Sequence, residues 1–173
     1  LSSFNIKGDK TNMIKNIHEF LWKLKTLPFI LTMTILSFLI TIPFTLLLPP
    51  LQNHPSNEDS IFIQILSVLI IAPLIETLIF QKFLFWILQM IPWIRKYDIL
   101  VITIPAIIFG LNHQFGITYI ICTTIVGMLY NYAYWIYQKK NTENYIVMSA
   151  FWTVFWIHEL HNIFALLIQD LLL

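Results

Sequence analysis

Residues 27–48 read LPFILTMTILSFLITIPFTLLL, twenty-two positions without a formal charge. A helix needs roughly 20 predominantly apolar residues to cross a bilayer, so this stretch predicts a transmembrane helix. Over the whole chain, 58% of the 173 residues are apolar and 11% are charged, whereas a soluble domain has roughly 25% charged residues. The composition excludes a cytosolic enzyme, a nucleic-acid-binding protein and a disordered tail. It indicates a protein that folds in lipid.

The same test identifies further apolar stretches, separated by proline and polar residues. We expect an all-α, polytopic membrane helix bundle with about five transmembrane helices, at Leu27–Leu48, Ile61–Ile91, Ile99–Phe115, Gly116–Tyr137 and Tyr145–Ile168. The second stretch is long enough for a tilted helix, for one kinked at Pro73, or for one span plus an interfacial piece. The single cysteine, Cys122, excludes an internal disulfide framework.

The positive charges alternate between the two sides of these spans. Lysines precede the first span, Arg95 and Lys96 follow the second, and Lys139 and Lys140 follow the fourth, whereas residues 49–60 carry no Lys or Arg. Positively charged loops tend to stay in the cytoplasm. We therefore expect a multi-pass protein of the plasma membrane with its N-terminus in the cytoplasm and its C-terminus outside.

The chain is expected to divide at the start of the first span. Residues 1–26 are predicted to form a cytoplasmic segment. Within it, Asn12–Leu24 has apolar residues near one face and lysines between them, which is typical of an interfacial amphipathic helix. Residues 27–173 are predicted to form a single transmembrane domain. The sequence begins at Leu1 rather than at methionine, which is compatible with residues upstream.

Ionisable side chains inside the predicted spans are costly and often carry function. They are Glu76, Lys82, His113, His158, Glu159 and His161. With a rise of about 1.5 Å per residue, Glu76, His113 and His158 all lie about 20–22 Å from the cytoplasmic ends of their spans. Three helices therefore place one acid and two imidazoles at one level, which predicts a convergent polar site. We expect Lys82 to extend toward the cytoplasmic side.

The fifth span carries several of these residues on one side. His158 and Asn162 are four residues apart, so they share a helix face, with His161 close to it. Glu159 is rotated about 100° from His158 and is expected to make a polar contact away from the site. The zinc-protease pattern HExxH does not match, because it needs histidine where Asn162 stands.

The residue types indicate what such a site can do. A carboxylate inside the bundle suits a general base that removes a proton from water. A histidine and an asparagine amide one turn apart suit donation to a developing oxyanion. No serine or cysteine belongs to an evident base-paired arrangement. The direct interpretation is attack of water on a carbonyl group, with Glu76 as the base.

Three short motifs lie in order on the predicted spans: APLIETLIFQ at residues 72–81, FGLNH at 109–113 and HELHN at 158–162. They resemble the motifs EExxxR, FxxxH and HxxxN or HxxxD of the CAAX prenyl protease and bacteriocin-processing family of intramembrane endopeptidases, also called CPBP or Abi. The resemblance extends from residue 61 to the C-terminus. Each motif alone is weakly specific, but all three in order on membrane helices form a specific pattern.

The resemblance implies roles for individual residues. Glu76 would activate water with help from His113, while His158 and Asn162 would stabilise the oxyanion. The residues around this set would be Thr77, Phe80, Gln81, Phe109 and His161. The implied function is an intramembrane endopeptidase that acts in the lipid bilayer on a membrane-associated or hydrophobic peptide or protein. A membrane-protein partner or an oligomer is compatible with it.

Two positions depart from the first motif, because its second glutamate is Thr77 here and its arginine is Gln81. Loss of both removes an ion pair without leaving a lone charge. It is equally compatible with a member that has lost catalysis and acts in bacteriocin self-immunity or in partner binding. Zinc held by Glu76, His113 and His158 is an alternative to the favoured water activation without metal. A small transporter is a weaker alternative, because no inverted repeat is evident.

Overall fold

A computed structural model describes residues 6–49, 60–143, 145 and 148–172. Within these ranges the chain is helical and contains no strand. The helices, in order, are α1 at Ile6–Lys23, α2 at Thr26–Leu39, α3 at Ile42–Leu47, α4 over residues 61–90, α5 at Asp98–Leu111, α6 at Ile117–Thr142 and α7 at Ala150–Leu172. The predicted all-α membrane bundle is confirmed.

Three helical segments in the described part of the chain are long and apolar enough to cross a membrane. They are Thr26–Leu47, Leu66–Met90 and Ala150–Ile168, which coincide with the first, second and fifth predicted spans. The third and fourth predicted spans are also helical, but α5 has 14 residues. The 26 residues of α6 include many threonine, tyrosine and asparagine side chains. A helix that packs against protein on most sides does not need the apolar surface that lipid requires.

α1 forms where the amphipathic helix was predicted. Ile14, Ile17 and Phe20 are exposed, while Leu21 is buried against the bundle. His18 Nδ1 lies 2.8 Å from the hydroxyl of Tyr132 in α6, which fixes α1 to the bundle. Exposed apolar side chains of this kind are what an interfacial helix inserts into the membrane surface.

α4 is continuous but contains two π-helical stretches, Leu66–Ile71 and Thr77–Phe83. Glu76 is the last residue of the short α-helical segment between them. The long second span is thus one helix with two wide turns, not a span followed by a separate interfacial piece. π-Helical turns are rare, and they frequently occur at functional sites.

α6 packs against α2, α3, α4, α5 and α7, and so forms the centre of the bundle. Tyr130, Ala133 and Tyr137 on this helix are fully buried. Asn131 of α6 donates a hydrogen bond of 2.8 Å to the carbonyl oxygen of Ile102 in α5. The polar residues that lower the hydropathy of α6 therefore serve contacts between helices.

The crossing of α5 and α6 is close at Gly110. A Cβ atom at this position would lie 2.8 Å from the carbonyl oxygen of Ile120 and would overlap the Thr124 hydroxyl. Glycine lets the two backbones approach, as small residues do in membrane helix pairs. The crossing brings the end of α5, and His113 just beyond it, into the interior of the bundle.

Candidate active site

Side chains from three parts of the fold meet at Glu76. Its Oε1 lies 3.5 Å from His113 Nε2, and its Oε2 lies 3.5 Å from His158 Nε2. Glu76 comes from the middle of α4, His113 from the turn that follows α5, and His158 from α7. The structure thus brings together the acid and the two imidazoles that the depth argument placed at one level.

The three side chains differ in how open they are. The Glu76 side chain is 22% exposed, compared with 14% for His113 and 7% for His158. The carboxylate is therefore the group that an incoming water or substrate can reach most easily.

The orientation of His113 is set by the end of α5. Its Nδ1 lies 2.7 Å from the carbonyl oxygen of Phe109. A carbonyl oxygen only accepts hydrogen bonds, so Nδ1 carries a proton. The Phe109 ring also packs edge-on against the imidazole, with 4.5 Å between centroids. With its proton on Nδ1, a neutral His113 has an unprotonated Nε2, which faces Glu76 and can accept a proton that the carboxylate takes up.

His158 is buried on α7 among aromatic rings. The ring centroids of Tyr130 and Phe109 lie 4.9 and 6.2 Å from that of His158. Its Nδ1 has no hydrogen-bond partner among the described residues. Because a carboxylate oxygen is an acceptor, the neutral imidazole is expected to carry its proton on Nε2, facing Glu76.

Asn162 lies one turn beyond His158, and its amide is directed at the backbone of α4. Nδ2 donates a hydrogen bond of 2.8 Å to the carbonyl oxygen of Val68. This carbonyl lacks the usual donors, because the N–H of Ala72 bonds to Ser67 in the π register and Pro73 has no N–H. Asn162 therefore supplies a donor that α4 itself does not. A second N–H on the same nitrogen is not used by this contact.

His161 lies beside this group and joins α7 to α2. Its Nδ1 is 2.6 Å from Ser37 Oγ, and its ring stacks on Phe38 with 4.2 Å between centroids. The Ser37 hydroxyl donates to the carbonyl oxygen of Thr34 at 2.6 Å. Nδ1 of His161 is therefore the donor in its contact with Ser37.

The two positions that depart from the first motif are fully buried. Thr77 Oγ1 and both polar atoms of the Gln81 side chain have no hydrogen-bond partner in the part of the chain that the structure describes. Phe80 packs against Phe109, with 5.1 Å between ring centroids, and Phe109 in turn contacts both imidazoles. Phe80 and Phe109 thus form an apolar side of the candidate site.

Two other charged residues of the predicted spans have different surroundings. Lys82 Nζ lies 5.6 Å from the ring centroid of Phe151, near the start of α7, in agreement with extension toward the predicted cytoplasmic side. Glu159 is buried, and its Oε2 has no hydrogen-bond partner among the residues described. The polar contact predicted for Glu159 is therefore not made by Oε2 among the described residues.

The zinc alternative requires donor atoms that converge on one point. Among the described residues, no group of three His, Cys, Asp or Glu side chains is arranged to hold a metal ion. The two imidazole nitrogens each lie 3.5 Å from an oxygen of Glu76. Donor atoms about 2.0 Å from one tetrahedral zinc ion are about 3.3 Å apart, so these separations suit both an acid–base arrangement and the zinc alternative.

Sequence reasoning missed several partners of this group, among them Phe38, Tyr119, Ser37, Tyr130 and the carbonyl of Val68. Pro73 was a partial signal for the last, since a proline in a regular helix leaves the carbonyl four residues earlier, that of Leu69, without its donor. The π register moves the unpaired carbonyl to Val68. No sequence signal marks Ser37 or Tyr130, because apolar and hydroxyl residues are frequent on all the predicted spans.

Comparison with known proteins supports the motif resemblance. A family model of type II CAAX prenyl endopeptidases, described as Rce1-like, matches residues 58–164. The match covers more than half of the chain and includes Glu76, His113, His158 and Asn162. No curated protein and no solved structure matches the chain significantly. The chain therefore belongs to the Rce1-like family of type II CAAX prenyl endopeptidases, a family of membrane proteases.

Proposed function

We propose that the protein is an intramembrane endopeptidase that hydrolyses a peptide bond of a membrane-associated or hydrophobic substrate. Membership of the family supplies the reaction class. The observation that carries the proposal is the position of the Glu76 carboxylate, 3.5 Å from the Nε2 atoms of both His113 and His158. A carboxylate in this setting suits a general base, so water is the nucleophile.

In the first step, Glu76 takes a proton from a water molecule while the water oxygen bonds to the carbonyl carbon of the substrate. The carboxylate is the most open of the three groups, so water can reach it. His113 can share the proton through Nε2, because the Phe109 carbonyl keeps the other proton on Nδ1. Glu76 and His113 then act as a pair that holds the transferred proton.

Attack converts the carbonyl oxygen of the substrate into an oxyanion. The donors proposed for it are the Nε2–H of His158 and the amide N–H of Asn162 that Val68 does not use. A donor of this kind contributes roughly 10²–10³-fold in rate. The proton held by Glu76 and His113 then passes to the amide nitrogen as the C–N bond breaks. The carboxylate returns to its starting state, and water is the only co-reactant.

A second function is favoured by one observation. Thr77 and Gln81 stand where the motif has an ion pair, and their buried polar atoms make no hydrogen bond with the described residues. A chain that no longer maintains this pair is also compatible with a non-catalytic member, acting in bacteriocin self-immunity or in partner binding. Cleavage of a defined substrate separates the two functions.

The test uses protein reconstituted in liposomes and three peptides: one ending in a farnesylated C-a-a-X sequence, the same peptide without the farnesyl group, and a single-span membrane peptide. Mass spectrometry identifies the products. Glu76→Gln and His113→Ala are expected to lower the cleavage rate about 10²–10⁴-fold, the usual contribution of a general base. Glu159→Gln changes another glutamate of the bundle and serves as the matched control, with the wild-type rate.

Metal content is measured on the same samples. Activity that follows bound zinc and is lost on chelation would support the zinc alternative instead. Equal product from wild type and both site variants would refute the assignment of Glu76 and His113. No product from wild-type protein with any of the three peptides would favour the non-catalytic function.

We also propose that the N-terminus lies in the cytoplasm, in a protein of the plasma membrane. The proposal is supported by the lysines before α2 and the basic residues that follow α4 and end α6. Reporter fusions at the two ends test it. A reporter that is active only in the cytoplasm should work at the N-terminus and fail at the C-terminus.

A further inference from the structure

A cavity of about 350 Å³ lies between α4, α6 and α7, apart from the candidate active site. Its lining includes Lys82, Tyr134, Gln138, Asn141, Ser149 and Phe151. It combines one cation, a serine hydroxyl and two aromatic rings, whereas the amides of Gln138 and Asn141 are occupied by hydrogen bonds to Gln89 and to the backbone around Ser149. This composition suits a ligand that is anionic on one side and apolar on the other.

The cavity lies at the end of the bundle that is predicted to face the cytoplasm. Asn141 belongs to the last turn of α6 and Ser149 immediately precedes α7. Lys82 is eight residues before the end of α4, so its Cα is about 12 Å inside the span. A lysine at this depth places its ammonium group near the membrane surface by extending along the helix.

The ammonium group of Lys82 differs from its neighbours in what it contacts. Lys139 pairs with Asp98 at 3.4 Å, and Lys140 donates to the carbonyl oxygen of Leu24 at 3.2 Å. Among the described residues, no carboxylate lies within 4 Å of Lys82 Nζ. The cation in the cavity thus contacts the ring of Phe151 and no anionic group among the described residues.

A hydroxyl donor is also available in the cavity. Ser149 Oγ accepts a hydrogen bond of 3.4 Å from the N–H of Trp152, so its own proton can be donated to a ligand. A cation and a hydroxyl donor together suit the oxygen atoms of a phosphate.

The surface next to the cavity is apolar and aromatic. Phe83 and Trp86 on α4 are 51% and 55% exposed, and their ring centroids lie 6.2 Å apart. Trp152 on α7 is also exposed. Aromatic side chains at this depth are typical of the membrane interface. Toward the middle of the bilayer, Ile79 on α4 is exposed as well, so Phe83 and Ile79 offer an apolar surface for an acyl chain beside the cation.

We propose that this cavity binds the phosphate group of an anionic phospholipid from the cytoplasmic leaflet. Lys82 and Ser149 contact the phosphate, and an acyl chain runs past Phe83 and Ile79 toward the middle of the bilayer. Basic pockets between membrane helices on the cytoplasmic side recognise lipid head groups in this way. Bound lipid would also stabilise α4, the helix that carries Glu76, by mass action. The proposal does not depend on whether the protein hydrolyses peptides.

The test measures binding of dioleoyl phosphatidylglycerol to purified protein in neutral detergent, by native mass spectrometry and by the shift of the thermal unfolding midpoint. Lys82→Gln is expected to weaken binding about tenfold, the factor that corresponds to the loss of one good ionic contact. Lys82→Arg keeps the charge and should bind like wild type. Lys139→Gln removes a nearby charge outside the cavity and is the matched control.

Three outcomes would overturn the proposal. Equal binding by wild type and Lys82→Gln would show that the cavity is not the site. An equal loss in Lys139→Gln would assign binding to the general positive charge of this surface. The same thermal shift from inorganic phosphate, or from phosphatidylcholine at equal concentration, would show that an anionic lipid is not the ligand recognised.

Discussion

Replacing Asn162 by alanine should destabilise the bundle through the carbonyl of Val68. In the wild-type protein that carbonyl accepts from Asn162 Nδ2 at 2.8 Å. The backbone cannot take over this role, because Pro73 has no N–H and the N–H of Ala72 bonds to Ser67. Without the amide, an acceptor inside the helix bundle is left without a partner.

The expected size follows from the same proline. Hydrogen bonds between membrane helices average about 0.6 kcal/mol and reach about 1.7, because the polar groups find other partners when the helices separate. Because Pro73 has no N–H, the Val68 carbonyl lacks the nearest backbone donor that could replace the Asn162 amide. We therefore expect Asn162→Ala to cost about 1.5 kcal/mol. In a Pro73→Ala background, residue 73 regains its N–H, and the cost should fall to about 0.6 kcal/mol or less.

The assay is a double-mutant cycle of wild type, Asn162→Ala, Pro73→Ala and the double variant. Each protein is unfolded in mixed micelles by increasing the fraction of sodium dodecyl sulfate, and helix content is followed by circular dichroism. The expected coupling free energy between the two positions is about 1 kcal/mol. Asn131→Ala serves as the control, since its amide also donates to a backbone carbonyl, that of Ile102 in a different helix. Its effect on the free energy of unfolding should be additive with that of Pro73→Ala.

Additivity of Asn162→Ala and Pro73→Ala within about 0.3–0.5 kcal/mol would refute this reasoning. It would mean that the Val68 carbonyl is satisfied in some other way when the amide is removed. Coupling of equal size for Asn131→Ala would also refute it, because the effect would then be a general consequence of changing α4.

Three further changes test contacts described above. Gly110→Ala should lower the stability of the bundle by about 1–3 kcal/mol through overpacking at the α5–α6 crossing, and a rise in the thermal midpoint would contradict that close approach. Thr77→Glu or Gln81→Arg alone should cost about 3–5 kcal/mol, because each buries an unpaired charge. The double variant should recover most of this loss, and failure to do so would show that the two positions do not face each other. Ser37→Ala removes the partner of His161 and should cost about 1 kcal/mol in the same unfolding assay, whereas an unchanged stability would mean that this contact contributes nothing.

Much of the fold could be predicted because lipid imposes a simple rule on sequence. An uncharged stretch such as residues 27–48 has few alternatives to a helix, since its backbone polar groups must be satisfied within the segment. The rule is weaker for α6, which packs against protein on most sides and carries polar residues such as Asn131 for contacts with other helices. The composition of α6 is therefore a weaker indication of a membrane span than that of residues 27–48. Its polar residues are explained by its position at the centre of the bundle.

The contact among Glu76, His113 and His158 could also be predicted, because ionisable residues are rare enough at membrane depth for counting residues to reveal a common level. The hydrogen-bond partners of His161 and Asn162 could not be predicted from the sequence. The link between His161 and Ser37 depends on how α2 rotates against α7, and the link between Asn162 and Val68 depends on a π-helical register. Neither the rotation of α2 against α7 nor the π-helical register of α4 is marked by a local sequence pattern.

The π-helical stretch at Leu66–Ile71 determines the angle between two contact positions on α4. Polar contacts join this helix to α7 at Val68 and at Glu76, and those positions are eight residues apart. Eight residues of regular α-helix leave two side chains about 80° apart around the axis, whereas a π turn accommodates more residues and narrows that angle. Deleting one residue there would swing the carboxylate by about 100° relative to Val68. The number of residues in the turn, more than their chemistry, would then decide whether the acid faces its imidazoles.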